Sequence, residues 1–73
     1  MVIVFSDHAK RQISQRGILR KKIINTINNP DEILQTYRNR QLRRKRFGSK
    51  LLEVITRVED SKVIVITAYY LDN

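Results

Sequence analysis

Apolar positions recur at two different periods along this 73-residue chain, and the change of period divides it. In the first part they return every four residues. Ala9 and Ile13 share one helical face, with Lys10, Arg11 and Gln15 pointing elsewhere. Leu19, Ile23 and Ile27 share another, with Ile24 beside them and Arg20, Lys21 and Lys22 on the wet side. Ser6 or Asp7 suits the start of the first helix, where a side-chain oxygen takes up a free backbone N–H, and Gly17 suits its left-handed stop. Asn28-Asn29-Pro30 ends the second helix, whose start has no Ser, Thr, Asp or Asn to cap it. Ahead of both, Val2–Phe5 is a short apolar run that reads as a strand or an anchored arm.

From Ile33 the period falls to two. Ile33–Tyr37 reads as a short strand, Arg38-Asn39-Arg40 as a turn, and Gln41–Phe47 as an extended segment closed by Gly48-Ser49-Lys50. Leu51–Val58 and Lys62–Tyr70 are β-branched strands joined through Glu59-Asp60-Ser61. In the first of these, Leu52, Val54, Thr56 and Val58 form the face expected under the helices, which leaves Glu53 and Arg57 on the open face. The last strand is apolar on both faces, so parity leaves the direction of Thr67 and Tyr69 open. The expected fold is α+β. Two N-terminal helices pack on one face of a three- to four-stranded antiparallel meander, with a short N-terminal strand as an option, in one domain over residues 1–73.

Charge changes the picture more than size does. Fifteen Lys and Arg face seven acids, for a formal +8. Residues 1–29 contribute +5, residues 30–50 another +5, and residues 51–73 −2. Such a field attracts polyanions, and nucleic acid is the expected partner. The absence of cysteine excludes disulfides, thiolate zinc sites and cysteine chemistry. One histidine among scattered acids gives no metal site, and no cofactor is expected. No apolar run approaches the roughly 20 residues of a membrane span and no signal peptide is expected, which points to a cytoplasmic protein with no membrane partner. A core this small leaves room for help from a partner or from a homodimer.

Two features carry candidate chemistry. Arg43, Arg44, Lys45 and Arg46 are four consecutive cations, and alternation must send two to each face of a strand. They serve either as a charged edge that blocks aberrant pairing, or, with Arg38 and Arg40, as an RNA-binding ribbon whose guanidinium forks follow phosphates. Tyr37 or Phe47 could stack on a base or belong to the core. His8, in the first turn of the first helix, is either a capping or packing residue beside Phe5 or the general base of a reaction run near neutral pH.

His8-Ala9, Arg16-Gly17-Ile18, Asn29-Pro30-Asp31 and Ile66-Thr67-Ala68-Tyr69, at these spacings, resemble a widespread small bacterial and archaeal family of unknown function. The resemblance covers most of the chain. The family often has an arginine four residues after the histidine, where this chain has Gln12, and Ser or Thr after Gly-Ile, where it has Leu19. That family in turn looks like a relative of the RelE and BrnT toxins, whose superfamily of helix-plus-sheet ribonucleases includes barnase and the colicin nucleases. The resemblance implies a RelE-like fold and metal-independent RNA cleavage by 2′-OH attack, often at ribosomes. It also implies a type II toxin restrained by an acidic antitoxin. On this reading His8 is the base, Arg57 stabilises the phosphate, Thr67 positions an oxygen and Tyr69 donates a hydrogen bond or proton. Arg40, Arg43, Arg44, Lys45 and Arg46 hold the RNA. The alternatives are a non-catalytic RNA- or ribosome-binding module and an interaction domain for an acidic protein.

Overall fold

The computed structural model describes residues 2–71. Strand β1 (Val2–Phe5) leads into helix α1 (Asp7–Gln15), followed by α2 (Arg20–Asn28) and strands β2 (Glu32–Gln35), β3 (Arg40–Phe47), β4 (Lys50–Glu59) and β5 (Lys62–Leu71). The strands form one sheet in the order β1-β5-β4-β3-β2. The chain is α+β as expected, with β2 to β5 a four-stranded antiparallel meander, and the optional N-terminal strand is present as a fifth that makes the sheet mixed. Strand β1 pairs with β5 in parallel, Val2 opposite Lys62 through Phe5 opposite Val65. The reason is an accounting of backbone groups: an apolar arm four residues long satisfies its N–H and C=O groups best on the free edge of a central strand. The helices and the meander supply the long crossover that a parallel pair requires.

Local chemistry sets both helix boundaries. Ser6 caps α1, its Oγ accepting from the Ala9 N–H at 3.0 Å. At the other end Ile18 N–H donates to Ile13 O (2.9 Å) and Gly17 N–H to Ser14 O (3.2 Å), with Gly17 at φ 65°. That pair of bonds is a Schellman closure, and the two isoleucines it brings together are both buried. Helix α2 begins at Leu19 without a side-chain cap, in keeping with the missing polar residue there.

The core lies between the helices and one face of β4 and β5. Ala9, Ile13, Ile18, Ile23 and Ile27 pack with Leu52, Val54, Val63, Val65 and Ala68. Leu52, Val54 and Thr56 face the helices as the alternation predicts, whereas Val58, near the strand end, is 40% exposed. Among the described residues no helix is long and apolar enough to cross a membrane. Leu52 is fully buried, so Leu52→Ala is expected to lower unfolding free energy by about 2–5 kcal/mol. Ser6→Ala, which removes only the cap, is expected to cost about 1 kcal/mol. Urea titrations of the two variants read both values, and equal losses would contradict this division between core and cap.

Candidate functional site

The chemistry-bearing side chains gather on the open face and along the edge of β5. Their placement follows from one irregularity. Ile55 pairs with Thr67 but Thr56 pairs with Val65, so Ile66 is an extra residue in β5. Strict alternation would put Val63, Val65, Thr67 and Tyr69 on one face. The bulge breaks that sequence: Val63, Val65 and Ala68 stay in the core while Thr67 and Tyr69 turn to the open face.

The pairing with β1 ends at Val65, which leaves the rest of that edge of β5 uncovered by strand. Helix α1 takes its place. Ser6 N–H donates to Val65 O at 3.3 Å. Farther along, Arg16 Nη1 donates to Ala68 O (2.9 Å) and to Thr67 Oγ1 (3.3 Å). Thr67 donates its own hydroxyl proton to Gln12 Oε1, and the Arg16 guanidinium carbon lies 6.0 Å from the centre of the Tyr69 ring. Residues four apart share a helix face, so His8, Gln12 and Arg16 form one stripe along this edge. His8 is solvent-exposed in its first turn, and the neighbouring Lys10 and Arg11 are exposed as well.

A second line crosses the open face. Glu32, Arg44, Glu53 and Tyr69 stand opposite one another on β2, β3, β4 and β5. Arg44 Nε donates to Glu53 Oε1 at 2.6 Å and Arg44 Nη1 to Glu32 Oε1 at 3.1 Å, while the Tyr69 hydroxyl donates to Glu53 Oε2. Glu53 is only 3% exposed, and these two donors satisfy a carboxylate that would otherwise be costly to bury. Its hydrogen bonds hold Arg44 above the ordinary guanidinium range. Burial, then the bond to Glu53, pushes the Tyr69 phenol up to about 12.

The basic run of β3 divides between the two faces. Arg43 turns toward the helices, where Nη1 donates to Ile27 O (2.9 Å) and Nη2 to Gln41 Oε1 (2.8 Å). Lys45 follows it, donating to Asn29 O at 2.8 Å with Asp31 at 3.7 Å. Asp31 also accepts from the Arg46 backbone N–H, and chiefly for that reason its carboxyl sits below the ordinary aspartate range. Both cations therefore meet carbonyls at the C-terminal end of α2, the negative end of the helix dipole. Arg44 is held in the row just described, and Arg46 is exposed. Arg40 stands directly opposite Arg57 on the open face, and Arg57 Nη2 pairs with Glu59 at 3.1 Å.

Of the residues expected to act in catalysis, Thr67 and Tyr69 come together through Arg16, and His8 shares the adjoining helix stripe. Arg57 lies farther along the open face, opposite Ile64 of β5. Gln12 and Arg16 were missed by the sequence reading. The signal was present, because both continue the four-residue spacing that begins at His8. Among the described residues no group of His, Cys, Asp and Glu could hold a metal ion.

A family described as a domain of unknown function, DUF4258, matches residues 5–70. The chain belongs to that family. No curated protein and no solved structure matches it. In this DUF4258 domain the matched stretch takes in α1, the bulged strand and every residue of the two polar clusters.

The Tyr69 phenol gives a test of the buried row. Its folded value of about 12 lies above the ordinary phenol value near 10, so the stability it contributes is whole below about 10 and lost as pH rises through about 12. In a spectrophotometric titration Tyr69→Phe is expected to remove a late-ionising phenol from the folded protein. An unchanged profile would mean that Tyr69 is not held by Glu53.

Proposed function

We propose that this DUF4258 domain is a metal-independent endoribonuclease whose site runs along the α1–β5 edge. The observation that carries the reading is the stripe His8–Gln12–Arg16, with its histidine open to solvent and its arginine fixed against Thr67, Ala68 O and the Tyr69 ring. An exposed imidazole on the same helix face as an oriented guanidinium, about two turns away, offers the base and the phosphate donor that 2′-OH attack on phosphorus requires. His8 takes the 2′-hydroxyl proton as the 2′-oxygen bonds to phosphorus. The P–O5′ bond then breaks, the 5′-oxygen takes a proton from water, and a 2′,3′-cyclic phosphate remains. Arg16, and not the more distant Arg57, meets the charge that develops on the non-bridging oxygens. Thr67 positions a ribose or phosphate oxygen. Tyr69 forms a wall of the site and not its acid, since its hydroxyl is committed to Glu53 and holds its proton up to about 12.

The broader parts of the proposal are a RelE-like arrangement, a cytoplasmic location and a toxin role with an acidic antitoxin. They are supported by the motif likeness and by the +8 charge, which favours acidic partners as well as RNA.

The test is cleavage of a single-stranded RNA by purified protein in the presence of a metal chelator, with products resolved by length. His8→Ala is expected to lower the rate by about 10²–10⁴-fold with the circular dichroism spectrum unchanged. An unaltered rate removes His8 from the mechanism. RNA retained with every bond intact overturns the enzyme reading in favour of a binding module.

A further inference from the structure

At the opposite side of the open face, the tip of the β2–β3 hairpin builds a second group of side chains that the edge site does not use. Arg38 and Asn39 form the turn with left-handed φ of 62° and 58°, and the Arg40 N–H closes it on Tyr37 O at 3.4 Å. Asparagine tolerates this left-handed backbone; an arginine adopts it rarely. The turn presents Tyr37, which is 78% exposed, with the Arg38 guanidinium carbon 5.9 Å from the ring centre. An aromatic ring this open contributes little to the core. With Arg38 over the ring and most of its surface still open, it has room to take another ring.

Beside Tyr37 lies a cleft of about 130 Å³, lined by Thr36, Tyr37, Arg40, Leu42 and Ile55. That is smaller than the roughly 300–1,000 Å³ of a pocket enclosing a drug-sized ligand, so it suits one group of a larger molecule laid across the sheet. Its floor is the cross-strand pair Leu42 and Ile55, and Ile55 is also the partner of Thr67. Two inter-strand spacings, about 10 Å, therefore separate the β3 side of this cleft from the edge site.

The charges at one side of the cleft are oddly placed: Arg40 lines it, and Arg57 stands next to Arg40 just outside the lining. Arg40 and Arg57 stand directly opposite each other on adjacent antiparallel strands, where like charges repel. The Nε of each is buried and has no hydrogen-bond partner. Glu59 pairs with Arg57 through Nη2 and leaves both Nε groups unmet. An anion lying over the pair would relieve the repulsion through the guanidinium ends, the Nε groups themselves being buried.

We infer that the cleft of Tyr37 and Arg40, together with the adjoining Arg57, binds one nucleotide of a single strand, its base stacked on Tyr37 and its phosphate on the two arginines. The stacking ring, apolar floor and paired cations form the combination by which sheets hold single strands without reading their sequence. The inference rests on the proposed substrate class but not on the proposed chemistry, because none of its contacts needs a 2′-hydroxyl.

A fluorescein-labelled ten-residue oligodeoxythymidylate separates the two readings, since it can be bound but offers no 2′-OH for attack. In anisotropy titrations of the full chain, Tyr37→Ala is expected to weaken binding by about 5- to 150-fold, the range of one lost base stack. Tyr37→Phe should bind like the parent. Arg40→Gln should flatten the logarithmic salt dependence by about 0.7, the loss of one phosphate contact on a single strand. Tyr37 lies outside the core, so its truncation leaves the fold intact, which circular dichroism verifies. Parent-like binding by Tyr37→Ala and Arg40→Gln, or no binding by the parent, overturns the inference. Displacement of the probe by oligoglutamate of equal charge and with equal potency overturns it in favour of an acidic protein. Failure to cleave oligouridylate while the deoxy probe still binds through Tyr37 overturns only the ribonuclease reading.

Discussion

A single extra residue in the central strand governs what this protein can present to a partner. Strand β5 must keep Val63, Val65 and Ala68 dry against the helices, and an even spacing followed by an odd one is impossible in a regular ladder. The bulge at Ile66 reconciles the two. It also fixes where β1 stops, because pairing ends at Val65 and the chain turns there into the cap of α1. The helix lands on the uncovered edge, and that landing brings Gln12 and Arg16 to Thr67. Strand bulge, helix placement and side-chain cluster are one arrangement.

The basic residues carry more structure than their number suggests. Arg43 and Lys45 hold carbonyls at the end of α2, so two of the four consecutive cations fasten a helix to the sheet. Arg44 serves a buried carboxylate, and the whole row from Glu32 to Tyr69 exists because Glu53 stands on a face that the other side chains cover. A buried ion pair of this kind is weak evidence for stability, since desolvation offsets much of the attraction. Its effect is on geometry: it fixes the registers of four strands relative to one another and holds the Tyr69 ring where Arg16 can lie over it. The cations left unsatisfied are then the informative ones. Arg40, Arg43 and Arg57 each keep an unpartnered Nε, but Arg43 has both Nη groups bonded on the helix side, whereas Arg40 and Arg57 face each other on the open face.

The helix layer and the open face consequently have different duties. The α2 end, the β3 cations and the core beneath them determine whether the domain folds. His8 and Arg16 of the α1 stripe and the β2–β3 tip are exposed, while Gln12, Thr67 and Tyr69 are half-buried beside them, a chemically mixed surface of the kind that meets a ligand. Between them runs the apolar pair Leu42–Ile55, a path across the sheet that connects the two candidate sites without passing through the core.

Much of this was legible in the residues themselves. Ser6, Gly17 and Asn29-Pro30 set the helix boundaries, Gly48 and Asp60-Ser61 the hairpins, and β4 showed its buried face because Glu53 and Arg57 alternate with Leu52, Val54 and Thr56. Those signals are local, and local backbone chemistry determines them. The partner of β1, the outward turn of Thr67 and Tyr69, and the division of Arg43–Arg46 into fasteners and free charges were not legible. Each depends on pairing between residues far apart in sequence, and in a strand of period two a shift of one residue exchanges inside for outside. With β5 apolar on both faces, only packing against Ala9, Ile13 and the helix layer selected which set would be buried.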